Sequence, residues 1–390
     1  MTIGIISPFN PSEFEFYFKG VTLPKIHTTA TSVHALVKSF LEAGHVVWVF
    51  TINESIEYKE FHSDYLNVIL VPRRSFRGTG FLHTYAVKQL RKSVAAHINE
   101  LNVIHGQWTY EYSIAALSFV NRVPVFCTVR DWCPYIMSLP MPLIGKISWR
   151  IIRYGMFKKI MNNNKIHIIA NSPYTYNCIK EAYPSKDVVI IPNSIKKELI
   201  LANRNNTTVG IRIVSVTNGI TDYRKNIVSL LRAYQKLRAN NIDASLTLVG
   251  KYEEDTPILQ QWRLEGLLEN VDLAGAKSHD EMIAIVDQSS MMVHPSLEET
   301  FGNTLLEAMA RRIPVIGGKK SGAVPYVLGN GEYGACCDIT NPDDILRAII
   351  LMSDDAVANS FVNKATNYLL SNYASDVVCN KHISLYNSQL

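Results

Sequence analysis

A short apolar run, Met291-Met292-Val293, opens the stretch that most constrains how this chain can fold. It reads as a buried strand. His294-Pro295-Ser296-Leu297-Glu298-Glu299-Thr300 and a Phe301-Gly302 turn follow. The amphipathic spacing from Thr304 to Arg312 then predicts a helix. Strand, glycine loop and helix start together make an anion site, because the first helical turn has unused N–H groups and a positive dipole end. Two carboxylates bracket it, Glu299 before the turn and Glu307 one turn into the helix. An ionised carboxylate only accepts hydrogen bonds, so beside a phosphate it serves hydroxyls. The combination suits a ligand such as a nucleotide-sugar. Two simpler readings stay open. Thr304-Leu305-Leu306-Glu307 also fits a capping box, and Glu298-Glu299 also fits a solvated pair.

The chain around this stretch is long for one core. Its 390 residues predict two domains, and 47% hydrophobic against 19% charged residues is a globular balance. Short apolar runs at Ile3–Ser7, Val46–Phe50, Val68–Val71, Val103-Ile104, Val123–Phe126, Ile166–Ile169 and Val188–Ile191 alternate with helical spacing such as Thr31–Ala43. Continuous apolar strands between helices predict a doubly wound parallel sheet, whose ligands sit beyond the carboxyl ends of the strands. A polar, periodless segment, 202–210, reads as a linker. A second βα series then runs through Ile211–Val216, a helix near 227–237, Leu246–Gly250 and Pro314–Ile316. After its first strand, Asn218-Gly219 and the Arg224-Lys225 pair precede that helix, where cations and dipole could hold a diphosphate. A solvated cation pair is the alternative.

Other features bound the partners. Residues 1–200 carry 22 lysines and arginines against 13 acids, and the remainder carries 17 against 21. No acid occurs between Asp131 and Glu181, where Lys146, Arg150, Arg153, Lys158, Lys159, Lys165 and Lys180 lie. The basic half is expected to meet something anionic, and the basic amphipathic stretch 139–160 fits a membrane surface or an inward-packed helix. The long loop from Pro8 to Lys25 carries Phe9, Phe14, Phe16, Tyr17 and Phe18. Its rings could stack on a sugar, cover a lipid, or pack on themselves. No basic, long apolar leader or run of about 18 apolar residues is seen, so neither a signal peptide nor a membrane span is expected. The six cysteines lack metal spacing, which predicts reduced thiols in the cytosol. No nucleic-acid motif accompanies the basic half.

The pattern Glu299, seven residues, Glu307, with Phe-Gly inside and Glu-Ala-Met-Ala at its end, resembles the signature of glycosyltransferase family 4. Pro295-Ser296 before it and Arg312-Ile313-Pro314-Val315-Ile316 after it continue the likeness. So do His105-Gly106-Gln107-Trp108-Thr109-Tyr110-Glu111, as in exopolysaccharide transferases, Asn171-Ser172 and Ile191-Pro192-Asn193-Ser194-Ile195. The resemblance implies a GT-B fold, two Rossmann-like doubly wound domains facing each other across a cleft. Residues 1–200 would form the acceptor-side domain, with helix 374–390 packing back on it, and 210–373 the nucleotide-sugar domain. It implies a retaining, metal-independent hexosyltransferase without cofactor. The sugar would move from a nucleotide-diphosphate sugar to a glycan or polyprenyl-diphosphate-linked acceptor for O-antigen, capsule or exopolysaccharide. Catalytic roles would fall to Glu299 on the sugar hydroxyls and to Lys225 with Arg224 on the diphosphate. Glu307 would take the ribose, and the N–H groups of Phe301, Gly302, Asn303 and Thr304 the phosphate oxygens. His105, Arg130 and Asp131 would complete substrate binding. A cytoplasmic enzyme on the inner membrane face, with no nucleic-acid partner, is the expectation.

The chain departs from the family pattern at four places. Arg130 stands where relatives have histidine, Ile220 where they have arginine, and Tyr326 where they have glutamate; the usual glycine pair is absent near Thr28-Thr29-Ala30. A non-catalytic GT-B protein binding a nucleotide-sugar or glycan is therefore the alternative.

Overall fold

The computed structural model describes residues 1–26, 30–53, 57–73, 82–139, 144–201, 203 and 210–390. Thr28-Thr29 and nearly all of the expected linker lie outside the described residues, as do the side chains of Lys146, Ile147 and Trp149. Two compact units result, Met1–Ser194 with Ser375–Leu390, and Ile195–Ala374.

The first unit contains β1 (Thr2–Ile6), β2 (Val46–Asn53), β3 (Lys59–His62), β4 (Leu66–Pro72), β5 (Val103–Gln107), β6 (Val125–Val129), β7 (Ile166–Ala170) and β8 (Val188–Ile190). Their spatial order is β3-β4-β2-β1-β5-β6-β7-β8, parallel throughout except for β3 against β4. The central strands are buried on both faces, which is why they read as unbroken apolar runs. The edge strand β3, Lys-Glu-Phe-His, is mostly exposed and carries no such signal.

The aromatic loop after β1 packs on itself. Phe9, Phe14 and Phe18 are buried beside Val33 and Leu36, and only Phe16 projects, 94% exposed. The basic stretch becomes the helix Ile144–Met161. Phe157 and Ile160 drop into the core, Ile151, Lys158 and Lys159 face outward, and Arg153 lies over the Tyr110 ring. Among the described residues no helix is long and apolar enough to cross a membrane. All six cysteines are free thiols.

His105, expected just after the Val103-Ile104 strand at its C-terminal end, lies within β5 and is fully buried. Gln107 sits between two charged or basic neighbours. Its Oε1 accepts from Arg130 Nε at 2.8 Å, so its amide nitrogen faces His105 Nε2 at 3.2 Å. Thr128 Oγ1 also meets Nε2, at 2.7 Å. Nε2 is thus the acceptor, and Nδ1–H is left to donate to the Tyr386 hydroxyl at 2.6 Å. Burial, with His382 and Arg130 nearby, holds the His105 ring well below its ordinary pKa, consistent with this neutral tautomer. Tyr386 belongs to the helix Ser375–Asn387, which docks on the helix Thr31–Glu42 through Val378, Cys379 and the Phe40–Tyr386 ring pair.

The second unit contains β9 (Ile211–Gly219), β10 (Ala244–Lys251), β11 (Val271–Gly275), β12 (Met291–His294), β13 (Val315–Gly318) and β14 (Ala335–Cys337). All pair in parallel in the order β11-β10-β9-β12-β13-β14. The chain moves outward from β9 to β11 and then returns to place β12 against the other side of β9, with Met291 opposite Ile213. That reversal is a topological switch point, where loops leaving adjacent strands diverge and open a crevice.

Replacing Tyr386 by Phe should leave the His105 Nδ1–H without a partner in the core. The expected loss is about 1–3 kcal/mol of unfolding free energy, measured as a lower denaturant midpoint. An unchanged midpoint would contradict the assigned hydrogen bond between His105 and Tyr386.

Candidate active site

The two loops at the switch point are built by local backbone chemistry. After β9, Asp222 caps a 3-10 turn, Tyr223–Lys225, by accepting from the Arg224 N–H at 3.0 Å. Asn226 follows in the left-handed region (φ 50°), which short polar side chains tolerate. Its amide donates to the Ile339 carbonyl at 2.7 Å, fixing the start of the helix Ile227–Ala239. After β12, the Leu297 N–H donates to the Arg224 carbonyl at 2.8 Å, so one loop is strung on the other. The Ala323 N–H donates to the Glu299 carbonyl at 2.8 Å and brings in the loop after β13. Lys225 Nζ then meets Glu299 Oε1 at 2.6 Å.

Glu299 is held by more than the lysine. His294 Nε2 lies 3.1 Å from the same oxygen, and His294 Nδ1 faces the Thr304 hydroxyl at 3.4 Å. Burial pushes the Glu299 carboxyl up, but Lys225 and His294 together outweigh it and hold the group well below the usual carboxylate range. It is an anion at any working pH. His294 was part of the recognised stretch, yet nothing in its spacing singled it out as a site residue.

The helix after the turn runs Asn303–Ala310, with Gly302 at its N-cap (φ 98°). Only glycine takes this backbone without strain, and no side chain caps the helix. The capping-box reading of Thr304 and Glu307 therefore fails. Glu307 turns away from the helix start and places Oε1 3.1 Å from His279 Nε2, with only 7% of the residue exposed. The capping box in this region belongs instead to Ser278 and Glu281, which start the helix His279–Asp287. His279 lies 28 residues before its partner, and sequence reasoning missed it. Phe301 is buried, its ring edge-on to Tyr373.

The departures from the pattern have physical explanations. Ile220 is wholly buried in the second core, packed among Ile227, Leu248 and Ile316. The neighbouring Arg224 guanidinium is tied to Asp222, 2.7 Å from Nη2 to Oδ2. Tyr326 stands in the short helix Val324–Val327, where its carbonyl accepts from the Tyr368 hydroxyl at 3.4 Å. In the first unit Arg130 and Asp131 follow β6. Arg130 is buried and donates to Gln107, Ser32 and Asn193, the last at 2.6 Å; burial lowers its pKa to about 10. The His105 ring is enclosed with both nitrogens engaged, so it supports the network and presents no atom to a ligand.

Within the second unit, then, a lysine, two anchored carboxylates and a helix start converge at the carboxyl ends of β9 and β12. Such a group can hold an anion on the helix start and lysine while its carboxylates accept from hydroxyls. Among the described residues no three His, Cys, Asp or Glu side chains are grouped as a metal ion requires.

Comparison with known proteins places this arrangement in a family. A family model described as Glycosyltransferase Family 4 matches residues 29–199, and one described as Glycosyl transferases group 1 matches 205–368. The uncharacterized glycosyltransferase MJ1178 of Methanocaldococcus jannaschii is 26% identical, over 89% of this chain and 88% of its own. The lipopolysaccharide 1,2-N-acetylglucosaminetransferase of Salmonella typhimurium is 25% identical over 58% of this chain and 64% of its own. In fold, sucrose-phosphate synthase from Thermosynechococcus elongatus superposes with a TM-score of 0.77 at 17% identity, covering 100% of this chain and 98% of that one. The switch-point carboxylates and lysine thus sit in the second of two parallel-sheet domains of the GT-B fold, and the chain belongs to glycosyltransferase family 4.

Proposed function

We propose that this glycosyltransferase moves a hexosyl group, with retention, from a nucleotide-diphosphate sugar to a glycan or polyprenyl-diphosphate-linked acceptor of a surface polysaccharide. The observation that carries the reading is the Lys225–Glu299 contact at the switch point. An ammonium has three N–H donors. One goes to Glu299, and the others are available to the diphosphate. Breaking the sugar–phosphate bond leaves an oxocarbenium-like centre and an anionic leaving group, so fixed positive charge at the phosphate is the chief requirement. Lys225 and the N–H groups of Phe301 to Thr304 supply it, with Arg224, restrained by Asp222, at the edge of the same turn. Glu299, kept ionised, accepts from the transferred sugar, and Glu307 from the ribose. The family supports retention and metal independence, and the lipopolysaccharide relative supports a polysaccharide acceptor. Arg130 and Asp131 at the end of β6 contribute to substrate binding, with His105 supporting Arg130 from the core through Gln107.

The excess of lysine and arginine in residues 1–200 supports a cytosolic enzyme resting on an anionic membrane face. Sedimentation with anionic vesicles should then exceed that with neutral vesicles and fall with salt. Equal sedimentation with both would refute it.

Incubation with a panel of nucleotide-sugars in excess EDTA tests the activity itself. Slow release of free nucleotide from one of them is expected. Release that needs added manganese would overturn metal independence. A second reading rests on the departures from the family pattern at Arg130, Ile220 and Tyr326. A protein that bound a nucleotide-sugar but never turned it over would bear out that non-catalytic reading.

The site residues have separable effects. Lys225→Ala should lower turnover about a hundredfold, the scale of losing one group aimed at developing charge. Glu307→Gln should weaken free nucleotide binding measured by calorimetry. Glu299→Gln should leave that binding nearly unchanged and lose turnover with the full donor. Equal loss of nucleotide affinity in both glutamate variants would show that the sugar and ribose are misplaced.

A further inference from the structure

The contact between Glu307 and His279 has a consequence for the donor that the family motif does not contain. We propose that His279 is a positioning residue for the donor nucleotide: its ring holds one oxygen of Glu307, leaves the other for the ribose hydroxyls, and brings a positive charge that lets a buried carboxylate face an anionic ligand. The proposal rests on the reading of Glu307 as the ribose acceptor.

The geometry supports it from several sides. His279 is the first residue of its helix, and the Ser278–Glu281 capping box fixes that helix start, so the imidazole approaches Glu307 from a rigid element. Its Nε2 lies 3.1 Å from Glu307 Oε1. Glu307 itself is anchored in a helix whose neighbouring residues, Leu305, Leu306 and Ala308, are buried. The carboxylate therefore has little freedom except rotation about its last bond, and one strong donor on Oε1 removes that freedom. A nearly buried carboxylate without a counter-charge would also repel a nucleoside diphosphate, which carries two or more negative charges. An imidazolium on Oε1 cancels that repulsion.

Among the described residues, three charges face His279. Glu307 approaches from the helix Asn303–Ala310, Asp280 Oδ1 lies 3.9 Å from Nδ1 on the imidazole's own helix and is fully exposed, and Lys196 approaches from the segment that opens the unit. The Glu307 hydrogen bond raises the His279 pKa most, against burial and Lys196, so its proton is held to a higher pH than in a free histidine. The sign follows. An anionic nucleotide bound nearby favours the protonated ring further, so affinity is greatest where His279 is protonated in the free protein and fades as pH rises from the free-protein pKa to the nucleotide-bound one. Nucleotide affinity should therefore fall as pH rises through that window.

The test is calorimetric titration of the full chain with UDP, GDP and ADP separately, from about pH 6 to about pH 8.5. Wild type, His279→Gln and Glu307→Gln are compared with whichever nucleotide binds most tightly. Glutamine keeps a donor near Glu307 but cannot carry a proton, and the nucleotide's own titration is common to all three proteins. The ratio of wild-type to His279→Gln affinity should shrink about three- to tenfold from the low to the high end of the range, within the tenfold per pH unit that one linked proton allows. With the full donor, His279→Gln should raise KM and leave kcat nearly unchanged, as expected of lost ground-state binding. A ratio constant across the range overturns the proposal. So does a pH-dependent difference between Glu307→Gln and the double variant His279→Gln/Glu307→Gln, titrated in the same way, since His279 would then act on the ligand directly. Should His279→Gln fail to fold, His279→Asn serves in its place, and a wild-type profile matching that of Glu307→Gln would itself refute the charge. Glu307→Gln binding like wild type at every pH would instead remove the ribose reading, a separate outcome.

Discussion

One ammonium–carboxylate contact, Lys225 to Glu299, joins two loops that the sheet topology would otherwise let diverge. Burying two charges costs several kcal/mol each before their attraction is counted, so a pair of this kind is a weak source of stability. Its value is positional. His294 shares the same carboxylate oxygen, and backbone bonds from Leu297 and Ala323 fasten the loop on either side. Among the described residues, two N–H donors of the lysine and one oxygen of the glutamate have no protein partner, and both groups lie in loops carried by strands that cannot shift without breaking the sheet. A cation with no such partner would sample many rotamers, and ordering it on a ligand would cost more.

Much of this was legible in the amino-acid order because parallel, doubly covered strands must be apolar along their whole length. Val68–Val71, Ile166–Ile169 and Leu246–Gly250 announce themselves in that way. The signal fails where the physics differs. Lys59–His62 is an exposed antiparallel edge and reads as loop. His105 and Gln107 are strand residues that pass for a polar turn, because their burial is balanced by Arg130, Thr128 and Tyr386, and the tyrosine lies 281 residues away. No local pattern can report a partner at that distance.

The same limit applied at the site. The spacing of Glu299 and Glu307 was visible, and so was the glycine that lets the turn lead into the helix. Which groups hold the two carboxylates was not. Besides Lys225 on Glu299, each carboxylate is held by a histidine that the spacing did not single out: His294 at the last position of β12, and His279 at the start of the preceding helix. The capping box that seemed equally open at Thr304 was excluded by one dihedral angle, at Gly302. Ile220 shows the converse. The position where the family pattern leads one to expect an arginine has here been absorbed into the core.

The helix Ser375–Asn387 belongs to the first unit although 180 residues of the second unit precede it. A ribosome therefore releases the first sheet with Phe40, Phe126 and His105 lacking the cover that Tyr386 later provides. The second unit, continuous from Ile195 to Ala374, can finish folding as soon as it emerges. The earlier-made half must wait for the later-made one. A nascent chain that stalls or is clipped before residue 375 would carry an apolar, histidine-bearing face open to chaperones and proteases.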